Sequence, residues 1–328
     1  MRVYKTLFVA LLCLFIWQGL NLAQDASLET ARSAYDKGDN LKAIEILKGA
    51  ASKEPTSGEI QLLLTKAYLA SDQYDAAVSS AERAVSLDPK NSTYHQWLGE
   101  AYGAKADHSS AFSAYSWARK TQREFETAVQ LSERNYDAQQ DLIEYDCTAP
   151  SIVGGGVDKG QALIQKLASL DAAEGHFGEG VCKAVKKDYA AADAEYSKAL
   201  ESKPKTADRI YDIGDYFSQR GQGDKLLEVA NAGEALAPKD PRGMYYRGVG
   251  CILKGEKYAD AEKLLHEYLA AGPFRSSYPN PWDVHYWLGR SQAAQKNTAG
   301  ARSEYQEALK LNPKYKKAQE ALKQLGSQ

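Results

Sequence analysis

Small and apolar residues recur along this chain at a fixed interval of 34 positions. Ala43, Ala77 and Ala111 keep that step, as do Ala50, Ala84 and Ala118, and further on Gly180, Gly214 and Gly248. Pro55 and Pro89, then Pro204 and Pro238, repeat the same interval. Each interval predicts two short helices joined by a tight turn. The second helix is stopped by a proline, which lacks an N–H and clashes with the turn before it. Small residues such as Ala77 and Gly99 let paired helices approach closely, and Tyr74, Tyr115, Tyr189, Tyr196 and Tyr305 are expected to fill the gaps between units. A unit with one apolar face cannot bury it alone, so copies stack and share a continuous core.

This in-phase pattern resembles the tetratricopeptide repeat family. Leu98-Gly99, Tyr102 and Tyr115 carry it in one unit, Gly180, Tyr189, Ala192, Tyr196, Ala199 and Pro204 in another, and Leu288-Gly289, Ala301, Tyr305, Ala308 and Pro313 in the last. The resemblance implies an all-α fold, a right-handed α-solenoid of helix–turn–helix repeats closed by a capping helix from Lys316 to Leu325. The expected organisation is a targeting segment over 1–23, repeat units over 24–125, a divergent helix pair over 126–172, and repeat units with the cap over 173–325.

Two stretches break the phase. Residues 126–172 number 47 where a repeat needs 34. Ala128, Leu131, Tyr136, Ala138, Leu142 and Ile143 form one helical stripe, and Leu163, Ile164 and Leu167 another. Between them runs a connection from Cys147 to Gly154-Gly155-Gly156. It reads as a structural turn, as a partner contact, or as a small-anion site at the following helix N-terminus. A phosphate loop is ruled out, since no Gly-Lys-Ser/Thr follows and no strand precedes it. The second break, Gly272 to Trp282, holds three prolines with Phe274, Arg275, Tyr278 and Trp282. It has the composition of an interface hot spot or of a loop that folds back over helix ends.

Composition adds compartment. Arg2 and Lys5 precede an apolar run from Leu7 to Trp17 and a cleavage position after Ala23, the layout of a signal peptide. The expected location is a bacterial periplasm, with an inner-membrane anchor as the alternative if the segment is retained. No membrane span is expected in the mature chain. Net charge is −2 with no long single-sign run, so nucleic acid is not an expected partner. Export permits disulfides. Cys182 and Cys251 read as small hydrophobes within helices, with a Cys147–Cys182 bridge as the alternative.

No catalytic, cofactor or metal site emerges. His95, His108, His176, His266 and His285 lack ligand spacing, and no nucleophile elbow is present. The lysine–asparagine carboxylate clamp of co-chaperone members of the family is missing: Leu28, Arg32, Leu62 and Lys66 stand at those positions. Register instead places Lys66, Gln96 and Glu100, then Phe177, Tyr211, Asp215, Tyr245, Tyr286 and Arg290, along the first-helix face. Of these, Phe177, Tyr211, Asp215, Tyr245, Tyr286 and Arg290, together with Gly154, Gly155, Gly156, Phe274, Tyr278 and Trp282, are the candidate partner-binding residues. The expected function is a non-catalytic scaffold of the cell envelope whose groove holds a partner peptide or helix. The alternative is a periplasmic receptor for a small molecule or peptide.

Overall fold

The computed structural model describes residues 26–272 and 278–326. Every regular element among them is helical. In chain order these are α1 (26–36), α2 (Asn40–Lys53), α3 (Gly58–Leu69), α4 (Tyr74–Leu87), α5 (Ser92–Asp107), α6 (Ala111–Leu131) and α7 (Tyr136–Thr148). A single 3-10 turn, Ser151–Val153, precedes α8 (Val157–Leu170), α9 (Ala172–Val185), α10 (Tyr189–Glu201), α11 (Ala207–Gln219) and α12 (Gly223–Leu236). The series ends with α13 (Arg242–Lys254), α14 (Tyr258–Ala270), α15 (Pro281–Ala294), α16 (Thr298–Leu311) and α17 (Lys316–Gly326). The chain forms two compact units, Met1–Gly156 and Val157–Gln328.

In the first unit each helix packs on its neighbour in the chain, and the first helices of successive hairpins, α3, α5 and α7, also pack in a row. In the second unit α11, α13 and α15 do the same. This nearest-neighbour pattern defines an all-α repeat solenoid. The alanines of the 34-residue step do what their size allows: Ala43, Ala77 and Ala192 are fully buried where two helices cross. At Gly289 a Cβ would come within 2.4 Å of the Tyr305 ring, so the side chain is excluded by the aromatic on the facing helix.

One turn recurs in phase. After the first helix of six hairpins the backbone enters the left-handed region, at Gly38, Asp72, Lys187, Gly221, Gly255 and Lys296. Each time the same two bonds close it; at Asp72, for example, Asp72 N–H donates to Leu69 O and Gln73 N–H to Tyr68 O. This is the Schellman termination, which satisfies carbonyls left open at a helix end. The second helix is then capped from a side chain at Asp39, Asp188 and Asn297.

The third hairpin departs from the rule. Arg123 stands where the phase of Pro89 would put a proline, and α6 runs on to 21 residues. Ala128 and Leu131 therefore end α6 and do not share a helix with Tyr136 and Leu142. The start of α6 is left uncovered: Phe112 is 93% exposed and Tyr115 43%. Tyr115 and Tyr189 thus do not fill inter-repeat gaps as expected, whereas Tyr196 and Tyr305 are buried. Helix α7 packs against α6 and α5 in the first unit; α8 packs against α9 in the second.

Four of the five histidines have structural partners. His95, His176 and His285 each place Nδ1 2.7 Å from a carboxylate on the second helix of the same hairpin, Glu124, Glu195 and Glu304 respectively. His108 stacks on Tyr74 with ring centroids 4.2 Å apart. Cys147 and Cys182 are both disulfide-bonded, so Cys182 is not the free small hydrophobe of the simpler expectation; Cys251 is free and buried.

Candidate functional site

Because α3, α5 and α7 pack in a row, residues one repeat apart come to the same face. Lys66 on α3 and Glu100 on α5 are such a pair. Lys66 lies with its ammonium 4.4 Å from the centre of the Trp97 ring. Burial, and then the positive charge of Arg32, lower its pKa below the usual lysine range.

Beyond Glu100, between α5, α6 and α7, the face opens into a hollow of about 510 Å³. Gly103 and Ala104 keep the α5 wall thin. Thr121 and Phe125 of α6 line it, Asp141, Glu144 and Tyr145 of α7 face them, and Pro150 and Val153 close one end. Phe125 is held by two contacts: a Cβ on Gly99 would come within 2.5 Å of its ring, and Tyr145 meets it edge-on at 6.5 Å. Tyr145 is fixed in turn, its hydroxyl lying 2.7 Å from Ala118 O and 3.0 Å from Val153 O.

The electrostatics of the hollow are one-sided. Glu100, Asp107, Asp141 and Glu144 line it, and among the described residues no lysine or arginine does. Burial, and then the charge of Glu144, push the Glu100 carboxyl up to about 7. Burial and then Glu100 raise Asp141 well above the usual carboxylate range, against the opposing effect of Gln96, whose Nε2 donates to Asp141 Oδ2 at 2.7 Å. Glu144 reaches solvent at the rim but is desolvated enough to be raised as well.

The other sequence candidates are mostly structural. Phe177, Tyr211 and Tyr245 were expected on the groove and are core residues instead. The Arg209 guanidinium covers Phe177 at 4.1 Å, and Tyr211, 1% exposed, stacks on Tyr246 with ring centroids 5.1 Å apart. Asp215 accepts from the Tyr246 hydroxyl at 2.8 Å. Tyr286 packs among Trp287, Tyr305 and Tyr315, leaving Arg290 as the exposed member of that set.

The glycine loop is likewise absorbed into packing. Gly154 has φ +104°, and a Cβ there would fall 1.8 Å from Gln122 Oε1; one on Gly155 would fall 2.0 Å from Ala149 O. Gly156 N–H donates to Asp146 O at 3.0 Å. In the second break, Tyr278 covers Arg242 at 4.3 Å and Trp282 is half-buried at the start of α15. Phe274 lies outside the described residues. Asp141 and Glu144 were missed by register because they sit in the out-of-phase stretch; their three-residue spacing on one helical stripe is the signal they leave.

Among the described residues, no helix is long and apolar enough to cross a membrane. Two family models match the chain, both described as tetratricopeptide repeat, over residues 34–111 and 253–324. A rhomboid protease, GluP of Bacillus subtilis, is 29% identical over 102 residues; the match covers 30% of this chain and spans about a fifth of that protein, 20% of its length. Among solved structures, the tetratricopeptide repeat protein TTC0263 of Thermus thermophilus is similar at a TM-score of 0.47 and 18% identity, covering 58% of this chain and 97% of that one. A tetratricopeptide repeat protein of Parabacteroides merdae gives 0.42 and 14%, with 93% and 99% covered. YrrB, described as having an unusual peptide-binding site, gives 0.41 and 19%, with 61% and 97% covered. The repeat fold is that of protein-interaction scaffolds in general, and the two models fall on the first and the last hairpins of the chain: it belongs to the tetratricopeptide repeat family.

Proposed function

We propose that the protein is a non-catalytic adaptor of the cell envelope that holds a segment of a partner protein along the first-helix face. The observation that carries this reading is the row α3, α5, α7, which presents Lys66, Glu100, Asp141 and Glu144 to one side and ends in an open hollow. Such a face offers charge and shape to a chain laid across it. The exported location is supported by the signal-like residues 1–23 and by the oxidised state of Cys147 and Cys182, which fits a compartment outside the cytosol.

In-cell crosslinking with affinity capture and mass spectrometry tests it. The expected result is a reproducible protein partner whose crosslinks map to α3, α5 and α7. Crosslinks confined to other surfaces would move the binding face elsewhere. A second reading, a receptor for a small ligand, is favoured by the 510 Å³ volume of the hollow, which lies in the range of ligand pockets. A metabolite screen by thermal shift separates the two, since a ligand bound only to the folded state raises its melting temperature.

A further inference from the structure

We propose that the hollow between α5, α6 and α7 is a docking pocket for a lysine or arginine side chain carried by the partner's segment. The inference rests on the adaptor reading and gives that partner a chemistry.

Three features of the hollow point the same way. Glu100 comes from one first helix, Asp141 and Glu144 from the next, so the carboxylates converge from two sides of an open space. No basic side chain among the described residues lines that space, and burial already disfavours the negative charge of Glu100 and Asp141. A cation placed there relieves both the like-charge repulsion and the desolvation that the arrangement carries.

The size and lining select among cations. Among the described residues no group of three or more acidic, histidine or cysteine side chains is arranged to hold a metal ion. The acids are instead spread around about 510 Å³, with Phe125, Ala118 and Ala104 supplying apolar surface. Lysine and arginine have this dual character, an aliphatic stem that packs on carbon and a charged head that seeks oxygen. An aromatic floor further suits a guanidinium or ammonium. Glu144 lines the hollow and is itself exposed to solvent, so a head group entering from outside meets a carboxylate first.

The test is a positional library of end-blocked hexapeptides, each with one fixed residue, probed with the labelled full chain. Peptides with lysine or arginine at one position should bind at least about tenfold better than the matching glutamine or norleucine peptides. Glu100→Gln with Glu144→Gln should abolish that preference, with folding checked by helical circular dichroism. Glu144→Lys, at the exposed rim, should block lysine peptides by filling the hollow with a tethered ammonium. Binding that selects acidic or apolar residues, or that ignores these changes, overturns the pocket and leaves the adaptor reading standing. No binding by any peptide, with no crosslinked partner in cells, overturns the adaptor reading and the pocket with it. Spermidine alone raising the melting temperature through the same carboxylates, with no peptide selected, overturns the proposal in favour of a small-amine site.

Discussion

Gln96 and Asp141 tie the first helices of two successive hairpins together, the amide of α5 donating to the carboxylate of α7 at 2.7 Å. The bond favours the ionised form of Asp141, while burial and Glu100 oppose it. Glu100, pushed up to about 7, holds a proton on folding that the unfolded chain has released by pH 6. The folded state is therefore favoured at lower pH and loses that advantage as pH rises through about 7. Thermal unfolding should show a lower midpoint at pH 8 than at pH 5.5, a difference of about 2 kcal/mol in stability. Glu100→Gln should reduce it, the remainder belonging to Asp141 and Glu144, whose carboxyls burial also raises. Parallel curves for the two proteins would show that Glu100 is not the group responsible.

Arg242 is enclosed on all sides. Tyr211 covers one face of its guanidinium at 4.4 Å and Tyr278 the other at 4.3 Å. Nη2 lies 2.7 Å from both Asp208 and Asp240. Burial works against the charge, and the two carboxylates more than offset it. Asp240→Ala removes one of the two carboxylates while Asp208 still faces the guanidinium, so it should cost about 1.5–3 kcal/mol, the worth of hydrogen bonds to a charged group. Chemical denaturation gives the number; a loss below about 1 kcal/mol means water replaces the carboxylate.

The left-handed turn position is occupied by Lys187 and Lys296 in two hairpins, with φ of +62° in each. A side chain there costs about 1–2 kcal/mol, part of which glycine gives back as unfolded-chain entropy. Lys187→Gly and Lys296→Gly should each stabilise the protein by about 0.5–1 kcal/mol. Glycine at either site lowering the melting temperature would mean that the lysine side chain makes a compensating contact.

Cys251 is buried and its thiol is raised above the usual range, first by burial. Of Cys147, Cys182 and Cys251, only the last should react with iodoacetamide without reductant, and only after denaturation. Peptide mapping by mass spectrometry reads this directly, and alkylation of Cys147 or Cys182 before reduction would contradict it.

The fold was legible because repeats repeat. Gly38, Ala43, Pro55 and their copies mark helix ends and contacts that depend only on neighbours in the chain. The groove residues were not, because register says which helix face a residue shares and not how deep that face lies. Tyr211 and Tyr245 occupy first-helix positions, but Gly233 leaves the Tyr211 ring room to sink against α12, and Tyr245 is enclosed by Tyr246 and Tyr268. The hollow escaped for the opposite reason. It forms where α6 outlasts its expected stop and α7 falls out of phase, so the 34-residue register does not point to Asp141 or Glu144 and only their three-residue spacing along α7 marks them.

The six identical turns bear on how such a chain changes over generations. Lys187 and Gly221 close two consecutive hairpins with the same backbone path, the second helix starting two residues later in each. Cutting at one and rejoining at the next would add or delete a whole repeat without creating a foreign junction. A repeat can be gained or lost there by unequal recombination, while residues 126–156 fall outside the 34-residue phase and offer no such joint.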